Sequence, residues 1–140
     1  MEENNIQNIK DIIKQELVKT KEEFNRGILQ SVKDLKTLIT IEDGTGKISI
    51  LNKEKFKNMD KIILFVIGKY VAYLAEIVNS PEIEIQTISD EIGILKTTLS
   101  APLGELVQNN LILKKEKKYR FNESFIKDEV KRILGKIKNE

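Results

Sequence analysis

Residues 83–122 constrain this chain more than any other stretch, because two short helical patterns are followed by an alternating segment rich in positive charge. Ile85, Ile88 and Ile92 recur at helical spacing, and Gly93 supplies the left-handed residue that commonly ends a helix. The sequence therefore predicts a helix, a tight turn and a second helix.

The second helix is expected to begin near residues 96–98, where Thr97 or Thr98 can accept a hydrogen bond from a free backbone N–H of the first turn. Pro102 has no N–H to offer the carbonyl of Thr98, which favours regular helix from Ser100 with the proline in the first turn.

A leucine stripe and a β-hairpin follow from the same stretch. Leu99, Leu103 and Leu106 share one helical face and are expected to be buried. Asn110 tolerates positive φ and is expected to end the helix, so residues 111–113 are predicted to form a strand. Residues 118–121 return as its partner.

These residues resemble a known family. GILKTTLSAPLGELVQNNLI resembles the turn and second helix of a winged helix-turn-helix domain, and LKKEKKYRFN resembles its wing. The likeness covers about residues 60–122 and is to small prokaryotic or archaeal-type transcriptional regulators. It implies binding of double-stranded DNA, with the second helix entering or skirting the major groove and the wing holding phosphates. The residues implied are Lys96, Thr97, Thr98 and Ser100 on the helix, and Lys114, Lys115, Lys117, Lys118 and Arg120 on the wing.

The charge distribution supports this interpretation of the wing. Net charge is only +2, but residues 114–140 hold ten basic and five acidic groups, whereas residues 61–113 hold three and six. Five of the cations fall within seven residues of the predicted hairpin, opposed only by Glu116. Such charges bind phosphates with strong salt dependence and without choice of sequence.

Composition argues against catalysis. The chain contains no cysteine, which excludes disulfides and thiolate chemistry, and no histidine, the usual general base and a common metal ligand. No sequence pattern indicates a metal site, a cofactor site or a catalytic residue. We therefore expect a non-enzymatic protein without a cofactor.

The N-terminal region is predicted to form one long helix over residues 6–38. Residues 6, 17, 28 and 39 form one apolar row at an interval of eleven, and residues 13, 24 and 35 form a second. Rows with this interval share a face of a nearly straight helix. Self-association as a coiled coil in a homodimer is favoured, because so long a helix extends beyond a domain this small. The alternative is an arm folded back on its own domain.

The remaining segments complete the fold prediction. Residues 39–41 and 48–50 alternate around Asp43-Gly44-Thr45-Gly46, which predicts a β-hairpin. Asp60 is expected to cap a buried helix over residues 61–78, residues 82–85 to form a short strand, and residues 122–138 to form a basic closing helix. The fold class is mainly α with small β: a dimerisation arm in residues 1–58 and a winged helix-turn-helix domain with a C-terminal helix in residues 59–140.

Two functional hypotheses remain open. The first is a homodimeric winged-helix DNA-binding protein, a transcriptional regulator or chromatin-associated factor, in the cytoplasm, since the sequence has no apolar run of membrane-spanning length and no signal-peptide pattern. The second is a winged-helix protein-interaction module in a larger assembly. It is favoured by the second helix, where Lys96 is the only cation and Ala101, Gly104 and Val107 form a smooth patch.

Overall fold

The computed structural model describes residues 2–17 and 21–138, with side chains from residues 8–17 and 24–137. The helices are α1 (Glu2–Glu16), α2 (Lys21–Leu35), α3 (Asn58–Leu74), α4 (Ile85–Ile92), α5 (Lys96–Gln108) and α6 (Ile126–Lys138). The strands are β1 (Ile39–Ile41), β2 (Ile48–Ile50), β3 (Ile83–Glu84), β4 (Ile112–Lys115) and β5 (Lys118–Phe121). Short 3₁₀ turns span Lys53–Lys55 and Glu123–Phe125. The mainly helical class with small antiparallel sheets is confirmed. Within the described ranges, no helix has the length and apolar character needed to cross a bilayer.

The prediction of one long N-terminal helix is wrong. Helix α1 ends at Glu16, Leu17 lies in a turn, and α2 ends at Leu35. Residues 18–20, which fall in the predicted helix, lie outside the described residues. After α2 the chain turns at once, with the Leu38 N–H donating to the Leu35 carbonyl at 2.8 Å. Leu38 follows in the core with no exposed surface.

The apolar stripe of α2 is covered by the same chain. Helix α2 packs along α6, with Leu35 buried and Ile28 half-buried against the core. The alternative of an arm folded back is therefore observed for α2. On α1, by contrast, Ile9, Ile12 and Ile13 remain 57%, 57% and 44% exposed. The two halves of the arm thus differ in what covers their apolar side.

The predicted hairpin of residues 39–50 is confirmed, in the expected register. Ile39 pairs with Ile50 and Ile41 with Ile48 in an antiparallel ladder. The loop ends at Gly46, where φ is +74° and an added Cβ would lie 2.3 Å from the Val78 side chain. Only glycine satisfies both the backbone angle and this close approach.

Buried polar contacts tie the hairpin to α3 and α4. The Lys69 ammonium, on α3, donates to the Gly46 carbonyl at 2.9 Å and lies 3.2 Å from a carboxylate oxygen of Glu91 on α4. The other Glu91 oxygen accepts from the Ile48 N–H. Lys53 donates to the Ile92 carbonyl at the end of α4. The hairpin therefore helps to hold the first helix of the helical corner in place.

Helix α3 is the centre of the core, but it ends at Leu74 and not at residue 78, and its start also differs from the prediction. The helix begins at Asn58 with Lys57 at the N-cap, so Asp60 lies in the first turn and does not cap it. The Asp60 side chain is 4% exposed and instead accepts from Arg132 and Lys136 on α6. Most of α3 is buried, as its broad apolar surface predicts.

The two-helix corner and the second sheet largely follow the sequence. Gly93 ends α4 with φ of +81°, and Asn110 follows α5 with φ of +65°. Strand β5 lies between β3 and β4 in a three-stranded antiparallel sheet. The leucine stripe of α5 is buried, as expected: Leu99, Leu103 and Leu106.

The start of α5 contradicts the capping prediction. Helix α5 begins at Lys96 with Leu95 at the N-cap and no side-chain cap, so neither Thr97 nor Thr98 caps it. Pro102 lies inside the helix and not in its first turn. The regular start at Ser100 is therefore also wrong, because tertiary packing of the leucine stripe extends the helix despite the proline.

Candidate nucleic-acid interface

The β4–β5 hairpin, residues 112–121, which we call the basic hairpin, presents four lysines to solvent. Ile112 and Phe121 at its base are buried, and this anchors the ribbon on the core. The Lys114 ammonium lies 5.4 Å from the centre of the Tyr119 ring, directly across the ladder. In the part of the chain that the structure describes, none of the four has an ion-pair partner: Lys114, Lys115, Lys117 and Lys118.

Two features at the tip of the basic hairpin lower its stability. Glu116 and Lys117 form the two-residue turn with φ of +51° and +68°, a conformation that favours Asn-Gly. Lys115 lies directly opposite Lys118 in the ladder, and like charges at such positions destabilise a hairpin. Both features lower the stability of the hairpin, and an anion bound at the tip would relieve the charge repulsion.

We expect Glu116→Asn with Lys117→Gly to stabilise the protein by about 1 kcal/mol, because both residues would then suit the left-handed turn. Urea unfolding of the double variant measures the gain. Glu116→Asn alone should give the smaller part of this gain in stability, since asparagine keeps a Cβ at positive φ. A loss of stability in the double variant would mean that the tip is not strained.

Arg120 differs from the lysines because its guanidinium already has a partner. It lies 3.0 Å from a carboxylate oxygen of Glu123, and its Nε is buried without a hydrogen-bond partner. Its predicted contact with phosphate stays a prediction, and would require exchange of Glu123 for a phosphate oxygen. We therefore give more weight to the four exposed lysines.

Lys96, at the start of α5, lies at the same groove as the tip of the basic hairpin. This groove, of about 340 Å³, is lined by Lys96, Lys117 and Lys118. Glu84, Ile85, Gln86 and Glu116 complete its lining, which leaves it a net charge of +1. We call it the tip groove. The structure thus brings together three predicted residues from two segments about twenty positions apart.

The other predicted residues of α5 lie outside the tip groove. Thr97 and Thr98 are exposed on the first turn of the helix. Ser100 donates to the Lys96 carbonyl at 3.0 Å and lines a neighbouring groove of about 310 Å³ with Lys114 and Tyr119. Its hydroxyl is therefore engaged with backbone.

The exposed face of α5 is small and uncharged next to the basic hairpin. Ala101 and Gly104 are exposed, and an added Cβ at Gly104 would meet no atom within 4 Å. Gly104 and Val107 line the neighbouring groove together with Ile85. No side chain on this face offers the bidentate donors that read guanine.

Sequence reasoning missed two contributions to this region. Glu84 and Gln86 reach the tip groove because β3 pairs with β5, with Glu84 opposite Lys118. The alternation of apolar and acidic residues over 82–85 indicated this strand in the sequence. On α6, Arg132 and Lys136 are bound to Asp60, so part of the basic closing helix serves the core instead of a ligand.

Comparisons with protein-family models, with curated proteins and with solved structures give no match. Among the described residues, no group of three acidic, histidine or cysteine side chains is placed to hold a metal ion.

Proposed function

We propose that this protein is a non-catalytic, cytoplasmic DNA-binding protein of the winged helix-turn-helix type, acting as a transcriptional regulator or chromatin-associated factor. The order of elements from α3 to β5, with β5 in the middle of the small sheet, supports this proposal. In that arrangement α5 is the recognition helix and the basic hairpin is the wing.

The observation that carries the proposal is the meeting of Lys96 with Lys117 and Lys118 at the tip groove. Cations from a helix start and a projecting hairpin can contact phosphates on either side of a duplex groove. Ammonium groups without ion-pair partners are free to exchange counterions for phosphates. Lys114 and Lys115 extend the same positive ribbon along β4.

The mode of binding follows from what α5 lacks. Its first two turns carry one cation, Lys96, and the adjoining face is small and uncharged. Phosphate contacts fix position on the duplex, whereas base-edge contacts give specificity. We therefore propose binding to the DNA backbone with weak sequence preference.

A salt titration tests this proposal. The affinity for a random-sequence duplex should fall with salt at a log–log slope of about −4 to −5 per bound chain, if five lysines each release a counterion. Gel retardation or fluorescence anisotropy at several salt concentrations measures the slope. No retardation of any duplex at low salt would contradict the proposal.

Homodimer formation through α1 is part of the proposal. A helix of 15 residues is marginal in water by itself, and α1 keeps Ile9, Ile12 and Ile13 largely exposed. Pairing of two α1 helices would bury this stripe and place two basic hairpins in one particle.

We expect light scattering of the wild-type protein to give twice the 16.1 kDa chain mass. Ile9→Asp should reduce it to that of one chain, because an aspartate in the stripe would be buried on pairing. Gln15→Asp adds the same charge on the other side of α1 and should leave the mass unchanged. A dimer in all three samples would exclude pairing through this stripe.

A second candidate function is a protein-interaction module. The groove of Ile85, Gly104, Val107, Lys114 and Tyr119 favours it, because a small apolar floor beside a lysine suits an acidic segment with one apolar side chain. Copurification from the native host discriminates the candidates: a stable protein partner without DNA would favour this one, and duplex fragments without such a partner would favour DNA binding.

A further inference from the structure

A further concave site lies between α2 and α6 and shares no residue with the tip groove or the groove beside it. Gly27 has no side chain and Ser31, one turn on, turns its hydroxyl back to the Gly27 carbonyl at 3.1 Å. These small residues fill little of the space between the two packed helices and line a groove of about 460 Å³, which we call the α2–α6 groove. Its full lining is Arg26, Gly27, Gln30, Ser31, Asp34, Lys127 and Lys131.

The lining of the α2–α6 groove holds three cations and one carboxylate, a net charge of +2. Arg26 lies on α2, whereas Lys127 and Lys131 lie one turn apart on α6. Among the described side chains, no carboxylate lies within ion-pair distance of any of these three cations. The one acidic lining residue, Asp34, accepts a hydrogen bond from the Gln30 amide at 3.2 Å.

The cations of the α2–α6 groove differ from other cations of α6, which have carboxylate partners. On the same α6 helix, Arg132 is bound by Asp60 and Glu129, and Lys136 by Asp60. A concave surface whose cations outnumber its carboxylates three to one concentrates a positive electrostatic potential and attracts anions. Arg26, Lys127 and Lys131 therefore have the arrangement of an anion site, with Gln30 as an additional polar group.

We propose that the α2–α6 groove binds a small molecule carrying a phosphoanhydride chain, a di- or triphosphate. The volume is within the range of small-molecule sites, roughly 300–1,000 Å³. The net charge of +2 in the lining attracts such a chain, and the arginine fork suits its paired oxygens. None of the seven lining residues is aromatic. The groove can therefore bind phosphates through its cations, but it has no ring on which a base could stack.

A duplex is a poorer occupant than a small polyphosphate. Its backbone needs an extended track of cations, whereas these three cations line a single groove between two helices. The inference is independent of DNA binding by the basic hairpin, since the two sites share no residue. A ligand here would join α2 to α6 and thus act as an effector of the N-terminal arm.

Isothermal titration of the full chain with sodium tripolyphosphate at low ionic strength tests the proposal. We expect one ligand per chain for the wild type. Lys127→Gln with Lys131→Gln should weaken binding roughly tenfold, and Arg26→Gln several-fold, since each removes exposed charge from one side of the groove. Lys115→Gln with Lys118→Gln, on the basic hairpin, removes the same charge and should change the affinity less than twofold.

The outcomes separate the explanations. Equal losses in the groove and hairpin variants would show a general response to net charge and overturn the proposal, as would no binding by the wild type. A loss in the α6 variant without a loss in Arg26→Gln would overturn the placement between the helices. Similar affinities for tripolyphosphate and ATP would support recognition of the phosphate chain, whereas binding of ATP alone would contradict it. Thermal unfolding of each variant without ligand confirms that it is folded.

Discussion

Asp60→Ala is expected to lower the free energy of unfolding by about 2 to 3 kcal/mol. Asp60 is 4% exposed and lies 2.9 Å from Arg132, with Lys136 on its other oxygen. Removing one member of a buried ion pair costs about 3 to 5 kcal/mol when the partner charge stays buried. Arg132 and Lys136 are 40% and 43% exposed, so water can hydrate them once Asp60 is removed. The expected loss is therefore at or below the lower end of that range.

Urea unfolding measures the effect. Asp60→Asn should cost less than alanine, because the amide keeps an acceptor of nearly the same shape while losing the charge. Asp43→Ala is the matched control: Asp43 is exposed in the hairpin loop, and its replacement should change the stability by less than about 0.5 kcal/mol. A loss below about 1 kcal/mol in Asp60→Ala would mean that the three-residue contact contributes little.

The same contact predicts a pH dependence. Burial acts to raise the pKa of Asp60, but hydrogen bonds and charges from Lys136 and Arg132 outweigh it and hold the pKa below its ordinary value. A lowered pKa in the folded state means that the contribution is complete above the unfolded value of about 3.9 and disappears as the pH falls through the folded value. The stability difference between wild type and Asp60→Ala should therefore be constant near neutral pH and shrink below about pH 4. A difference that grew on acidification would contradict the assignment.

Lys117→Ala with Lys118→Ala is expected to weaken binding to duplex DNA about a hundredfold near 0.1 M salt. Each phosphate contact contributes about 0.9 to the log–log salt slope, which is roughly tenfold in affinity per lysine at that salt concentration. Both lysines line the tip groove, and neither has an ion-pair partner among the described residues. The slope should become less steep by about 2, equally for all duplex sequences.

Lys127→Gln with Lys131→Gln is the control for this experiment. It removes the same formal charge from the α2–α6 groove, and we expect less than a twofold change in DNA affinity and an unchanged slope. Lys96→Ala should reduce the slope by about 1, since it brings one cation to the tip groove. If the hairpin and α6 variants lost affinity equally, net charge and not the basic hairpin would account for binding.

Much of the local architecture follows from the sequence alone. Gly93 and Asn110 have the positive φ that their positions required, the hairpin of residues 39–50 has the expected register, and the leucines of α5 are buried. These features depend on periodicity and turn chemistry, which act over a few residues and are therefore visible in a single chain. The winged-helix assignment and its function go beyond them and stay proposals.

Tertiary structure decided what each helix packs against and how the charges are used. Asp60 is bound by cations 72 and 76 residues away, and Lys96 meets Lys117 and Lys118 at one groove. Helix α2 packs on α6 of its own chain, which the apolar rows alone could not distinguish from pairing between chains. The physical reason is that an apolar stripe or a run of lysines indicates only that some surface or ligand must cover it. Its identity depends on which distant surfaces the packed core brings within a few ångströms.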